Sequence, residues 1–188
     1  MLAHLCYFNI FIHPIKAYLS CNSYAIIMLI MKDVIIRKAT IEDFKTVQQF
    51  GYDLLEYERK NWDKELDPSW PFSEEGAVKY KQAIEEKITL IAEKDERPVG
   101  FLIGKILPSN PKDARHLTTA YLENIYVTPD VRGKSVSKGL IEGFMDYCKK
   151  EKVDRIDVMV NAKNAAAIKF YEKSGYSTAT LRMSKQLK

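Results

Sequence analysis

Two hydrophobic rhythms alternate along this chain, a period of two for strands and of about 3.6 for helices, and the switches between them outline its elements. Val34 to Arg37 reads as a strand, and Thr40-Ile41-Glu42-Asp43 then has the form of a capping box, a hydroxyl followed three residues later by an acid. Ile41, Phe44, Val47, Leu54 and Leu55 share one helical face, which predicts a helix through about residue 58; the two prolines of NWDKELDPSWPF (61 to 72) end it. A second helix is expected over about 73 to 87. ITLIAEKDERPVGFLIGKIL (88 to 107) places two apolar runs around a Lys-Asp-Glu-Arg-Pro turn, the pattern of an antiparallel hairpin, and PSNPKDARH (108 to 116) reads as a loop. TAYLENIYV (119 to 127) is another strand. A helix starting near Ser135 follows, with Val136, Leu140, Phe144, Tyr147 and Cys148 as its apolar stripe. Ile156, Val158 and Val160 alternate with Arg155, Asp157 and Met159 in a further strand; Asn161 to Ser174 reads as a short helix closed by Gly175, and Tyr176 to about Leu187 as a last strand. This order describes an α/β fold, a mixed sheet with helices on both faces.

The first thirty residues depart from the rest, because Lys16 is their only charged side chain. They lack the basic start of a signal peptide, and Pro14, Lys16 and the polar SCNS interrupt the run of about 20 apolar residues that a membrane span needs. Residues 1–31 are therefore read as an apolar N-terminal appendage, and 32–188 as the domain. The alternative is an extension that packs on the domain or on a partner.

Composition adds limits rather than a function. At 188 residues and 46% hydrophobic, the chain has apolar material for one core. Its net charge of +4 is spread through both halves, so the overall balance does not call for nucleic acid. Three cysteines without CxxC spacing and three histidines are poor metal ligands as a set, which implies a reduced, cytoplasmic, metal-free protein.

Charge becomes informative in VTPDVRGKSVSKGL (127 to 140). A helix start attracts acids to its positive dipole end, yet Arg132, Lys134 and Lys138 gather here, and no carboxylate lies between Asp130 and Glu142. A strand, a loop rich in N–H groups and a helix N-terminus make an anion site, for which phosphate is the natural guest. GxGxxG and GxxxxGK[ST] are both absent, which removes the main support for a dinucleotide fold and a P-loop NTPase. A solvated basic loop would account for the same charges.

The run LENIYVTPDVRGKSVSKGL, taken with NAAAIKFYEKSGY, resembles the GNAT superfamily of acetyl-CoA-dependent N-acetyltransferases. The family's loop pattern maps onto Arg132, Ser135 and Ser137, and its Asn-x-x-Ala-x-x-Phe-Tyr pattern onto Asn164, Ala167, Phe170 and Tyr171. The resemblance runs from about residue 32 to the end and implies a GNAT-like mixed, largely antiparallel sheet with helices on both faces. It implies that the coenzyme A pyrophosphate rests on the amides of Arg132, Gly133, Lys134, Ser135, Val136, Ser137 and Lys138. The pantetheine arm would pair with the backbone of Ile125, Tyr126 and Val127, where that strand splays from its neighbour; Asn164 and Tyr171 would also touch the coenzyme. Acetyl-CoA is then a co-substrate, with no metal. Two family glycine-type positions are serine here, and Ser135 is the more serious change, because a side chain there crowds the ligand or forces a less favoured φ.

Acetyl transfer needs a free amine, a polarised thioester carbonyl and a proton for the departing sulfur. By the resemblance Tyr171 donates to that sulfur; taken alone, it could equally be a packed aromatic. Alternation puts Tyr121, Glu123, Ile125 and Val127 on one face, where partial burial would raise the Glu123 pKa toward that of a general base. A carboxylate simply paired with a base fits as well. Residues 53 to 75 hold eight acids against three bases, which favours a cationic acceptor. The expected activity is acyl transfer, other than of aminoacyl groups, to a primary amine of a small molecule or protein by direct attack in a ternary complex. A homodimer is compatible; nucleic acid and membrane are not expected partners. The competing readings are a non-catalytic acyl-CoA-binding module and a basic nucleic-acid-binding domain.

Overall fold

The computed structural model describes residues 29–31, 33–107, 117–185 and 187. The loop expected at 108 to 116 and most of the N-terminal appendage lie outside these residues. Ten elements follow in order: β1 (Leu29–Met31), β2 (Val34–Lys38), α1 (Phe44–Asn61), α2 (Glu74–Glu86), β3 (Ile88–Lys94), β4 (Arg97–Leu107), β5 (Thr119–Val127), α3 (Val136–Lys150), β6 (Arg155–Val158) and α4 (Ala165–Lys173). The six strands form one sheet in sequence order, antiparallel throughout except for the parallel pair β5 and β6.

Strand alternation sorts the core into two layers. Val34, Ile36, Ile88, Leu90, Leu102, Ala120 and Leu122 face α3, where they meet Leu140, Phe144 and Cys148; Tyr171 of α4 belongs to the same cluster. Ile91, Phe101, Ile103 and Tyr126 face the other way, against Val47 and Phe50 of α1 and Tyr80, Ala83 and Ile84 of α2. Gly104 lets Phe144 approach the sheet, since a Cβ there would lie 2.3 Å from its ring.

The capping box anchors α1 through a short 3-10 turn at Ile41–Asp43. The Asp43 carboxylate accepts from the Thr40 N–H at 2.7 Å and holds the Arg37 guanidinium at 2.7 and 2.8 Å. Ser73 caps α2 by accepting from the Gly76 N–H at 3.1 Å.

The C-terminus differs from expectation. Tyr176 to Lys185 form no strand, and Leu181 and Met183 are 70% and 84% exposed. Alternating Ala179, Leu181 and Met183 give the segment strand character, but a strand also needs a neighbouring edge to satisfy its backbone, and periodicity does not supply one.

Candidate active site

Strand β5 is flanked on both sides for only part of its length. Its pairing with β6 runs from Thr119↔Arg155 to Leu122↔Val158 and stops, whereas its pairing with β4 continues to Gly100↔Val127. Among the described residues, the edge of β5 beyond Leu122 therefore has no strand beside it. Its outward N–H and C=O groups, including those among Ile125, Tyr126 and Val127, need a partner other than the sheet.

The parting starts at a bulge. Ile103 pairs with Asn124 and Gly104 with Leu122, which leaves Glu123 as the inserted residue. A bulge bends its strand, and one extra residue changes which side chains share a face. The simple alternation that grouped Tyr121, Glu123, Ile125 and Val127 is thereby corrected. Ile125 and Val127 lie with Ala120 and Leu122 on the α3 side, and Glu123 turns to the α1/α2 side.

There the Lys87 ammonium donates to Glu123 Oε2 and the Lys105 ammonium to Oε1, each at 2.7 Å. Burial alone would raise the Glu123 pKa, but these two cations outweigh it and hold the carboxyl below the usual range. The expected upward shift is overturned, because the neighbours are charged rather than apolar.

Tyr171 lies on the opposite side of the sheet. It is buried with Leu122, Val127 and Val136, with Ile125 and Val158 packed against the same cluster. Its ring meets those of Phe170 and Tyr176 at 5.4 and 5.3 Å. Burial raises its phenol far above the ordinary value, so the hydroxyl stays protonated at neutral pH. Glu123 and Tyr171 thus flank the opening from opposite faces. Asn164 caps α4, its Oδ1 accepting from the Ala167 N–H at 3.0 Å.

The loop beyond Val127 turns back into α3 through two left-handed residues, Gly133 at φ 75° and Ser135 at φ 65°. Serine thus adopts the backbone that glycine favours, and its side chain makes no capping hydrogen bond. The amides of Gly133 and of Ser135 to Lys138 have no backbone partner among the described residues. A Cβ at Gly133 would meet nothing within 4 Å, so space for a ligand lies over the loop.

Its bases are less free than the sequence implied. The Arg132 side chain donates to the Val127 carbonyl at 3.0 Å and lies 4.7 Å from the Tyr57 ring centroid and 5.6 Å from that of Tyr126. It ties the loop to β5 and α1. Lys134 donates to the Asp130 carbonyl at 3.0 Å, and Lys138 sits 3.6 Å from Glu142. Amides and the helix dipole, more than free cations, are what this helix start offers an anion.

Sequence reasoning missed Lys87, Lys105 and the stacking of Tyr57 on Arg132. One signal was available: Lys105 is the only charge in VGFLIGKIL.

Fold and site together define an α/β domain whose sheet opens beside a helix start bearing unpaired amides. The chain belongs to the acetyltransferase (GNAT) family, whose model matches residues 52–176. It is 26% identical over 153 residues to an uncharacterized N-acetyltransferase of Methanocaldococcus jannaschii, covering 78% of this chain and 62% of that protein. It is 39% identical over 66 residues to the [ribosomal protein bS18]-alanine N-acetyltransferase of Escherichia coli, covering 35% of this chain and 45% of that one. The chain thus spans less than two thirds of the length of these relatives. Among solved structures, a tetramutant of the BH1408 protein of Bacillus halodurans shares the fold at a TM-score of 0.71 and 21% identity, covering 81% of this chain and 99% of that one. An aminoglycoside N-acetyltransferase solved with CoA does so at 0.63 and 15%, covering 81% and 93%.

Proposed function

We propose that this protein transfers the acetyl group of acetyl-CoA to a primary amine by direct attack in a ternary complex. The observation that carries the reading is the opening of the sheet beyond Leu122 and Val158, with Glu123 on one face and Tyr171 on the other. An extended ligand arm can take the place of a missing strand there, hydrogen-bonded to the edge of β5 along Ile125, Tyr126 and Val127, where Arg132 already engages the Val127 carbonyl. Pyrophosphate rests on the loop from Arg132 to Lys138 through the amides of Gly133 and of Ser135 to Lys138, since those of Arg132 and Lys134 donate to the Pro129 and Val131 carbonyls, and Asn164 closes the α4 end. Acetyl-CoA supplies an activated acyl carbon and a sulfur leaving group, and no metal is required.

Each side chain then has a definite task. Glu123, held ionised, faces the acceptor side, where its charge favours the positive nitrogen that develops as the amine attacks the acyl carbon; it takes or passes on the proton that nitrogen sheds. Tyr171 gives its proton to the sulfur as the carbon–sulfur bond breaks. Solvent takes the proton from Glu123 and returns one to the phenol, so the protein regains its starting state.

The acceptor is an amine of a small molecule or of a protein. Relatives carry both kinds of name, the ribosomal-protein alanine acetyltransferase and an L-2,4-diaminobutyric acid acetyltransferase of Nocardia farcinica. A cytoplasmic protein fits these reactions, and among the described residues no helix is long and apolar enough to cross a membrane.

Calorimetric titration with acetyl-CoA followed by a thiol-release assay against an amine panel tests the reading. Saturable binding with amine-dependent thiol release is expected. Binding without release from any amine would overturn the transfer and leave the non-catalytic acyl-CoA module.

A further inference from the structure

Glu123 has more positive charge around it than it needs. One carboxylate is engaged by two ammonium groups, Lys87 at the C-terminal end of α2 and Lys105 on β4, both at 2.7 Å. Lys105 also lies 5.9 Å from the centroid of the Tyr121 ring. The group carries a net charge of +1 and is partly covered, the side chains of Lys87, Lys105 and Glu123 being 29%, 37% and 20% exposed. A single lysine would neutralise the carboxylate, and each ammonium uses only one of its three donors on Glu123. The surplus stands on the α1/α2 side of the sheet, at the bulge where β5 leaves β6.

We propose that Lys87 and Lys105 hold an acidic group of the acceptor, so that the acceptor is an amino-acid-like compound carrying a carboxylate close to the amine it presents. The inference rests on the acetyl-transfer reading and deepens it. A carboxylate beside an ammonium is complementary to two ammoniums beside a carboxylate: the acceptor amine engages Glu123, and its carboxylate engages the lysine donors Glu123 leaves free. A diamine or an aminosugar of similar length brings only cations to this place, where it meets Lys87 and Lys105 as like charges. The acid-rich stretch from residue 53 to 75 does not oppose this, since it draws the amine end of the same zwitterion.

The test compares amines that differ only by a carboxylate: L-lysine with cadaverine, and L-2,4-diaminobutyrate with 1,3-diaminopropane. For the wild type, kcat/KM is expected to favour the carboxylate-bearing member of at least one pair by about tenfold or more. In Lys87→Gln and Lys105→Gln that ratio should fall toward one, chiefly through KM, and Lys105→Arg should restore much of it. Thermal melts of each variant separate this from loss of fold. A wild-type preference for the decarboxylated members, or a ratio that survives in both glutamine variants, would overturn the assignment. Calorimetry with the same pairs in the presence of CoA keeps the two readings apart. If no amine releases thiol, acetyl transfer fails; the lysine assignment then stands if the carboxylate-bearing member binds more tightly in a lysine-dependent way, and falls if it does not.

Discussion

Ser135 carries a cost that its own side chain does not repay. A non-glycine residue in the left-handed region loses about 1–2 kcal/mol, and the Ser135 hydroxyl makes no capping bond in return. Ser135→Gly is expected to raise stability by about 1 kcal/mol in urea titration and to tighten acetyl-CoA binding by up to about tenfold. Weaker binding would mean that the hydroxyl itself contacts phosphate. At the proposed catalytic pair, pH tests the roles. The Glu123 pKa is lowered despite burial, because two lysines face it, so its charge is constant over an assay from about pH 6 to 9. The rate penalty of Glu123→Gln should therefore stay constant across that range. A penalty that vanishes as pH nears the amine pKa would instead make Glu123 the group that deprotonates the free ammonium. Tyr171 has its pKa raised, so it remains a donor over the same range, and Tyr171→Phe should lower kcat by about 100-fold or more with little change in acetyl-CoA affinity.

At the level of elements, hydrophobic period located every helix and all strands from β2 onward to within a few residues, because each buries a face against the sheet or a helix. Two features were hidden. The bulge at Glu123 leaves the composition of TAYLENIYV unchanged and only moves one residue out of register, so alternation assigned the wrong face from Ile125 onward. The C-terminal segment has the pattern of a strand, but pattern records one surface and not the edge it must join. The turn into α3 was legible because its demands are local, a glycine-type backbone and a helix start. Lys87 and Lys105 were not, since their meeting at Glu123 depends on the registers of β3 with β4 and of β4 with β5. The tight seam between β4 and α3 gives a further test. Gly104→Ala would drive a methyl into Phe144, which is fully buried, and should cost about 1–3 kcal/mol in denaturant titration. An unchanged midpoint would show that the ring can move aside.

Across the whole molecule, the strand order separates beginning from function. β1 forms one edge of the sheet, pairing through Leu29↔Ile36, and four strands lie between it and β6 beside the opening. We propose that residues before Met31 are dispensable for coenzyme binding. A chain starting at Met31 should bind acetyl-CoA with unchanged affinity and melt within a few degrees of the full chain, in keeping with the small contribution of a three-residue edge. A loss of binding would show that residues before Met31 are needed for the coenzyme site.

The half-flanked strand has a kinetic signature as well. An amide that faces the gap between β5 and β6 has no ladder partner among the described residues and exchanges with water, whereas its neighbours bonded to β4 are shielded by the ladder. Along Ile125, Tyr126 and Val127, hydrogen–deuterium exchange should alternate between fast and slow residue by residue. Saturating coenzyme A should slow the fast positions and leave the others nearly unchanged, so that the exchange clock of three consecutive peptides reports where the ligand arm lies without any catalytic readout.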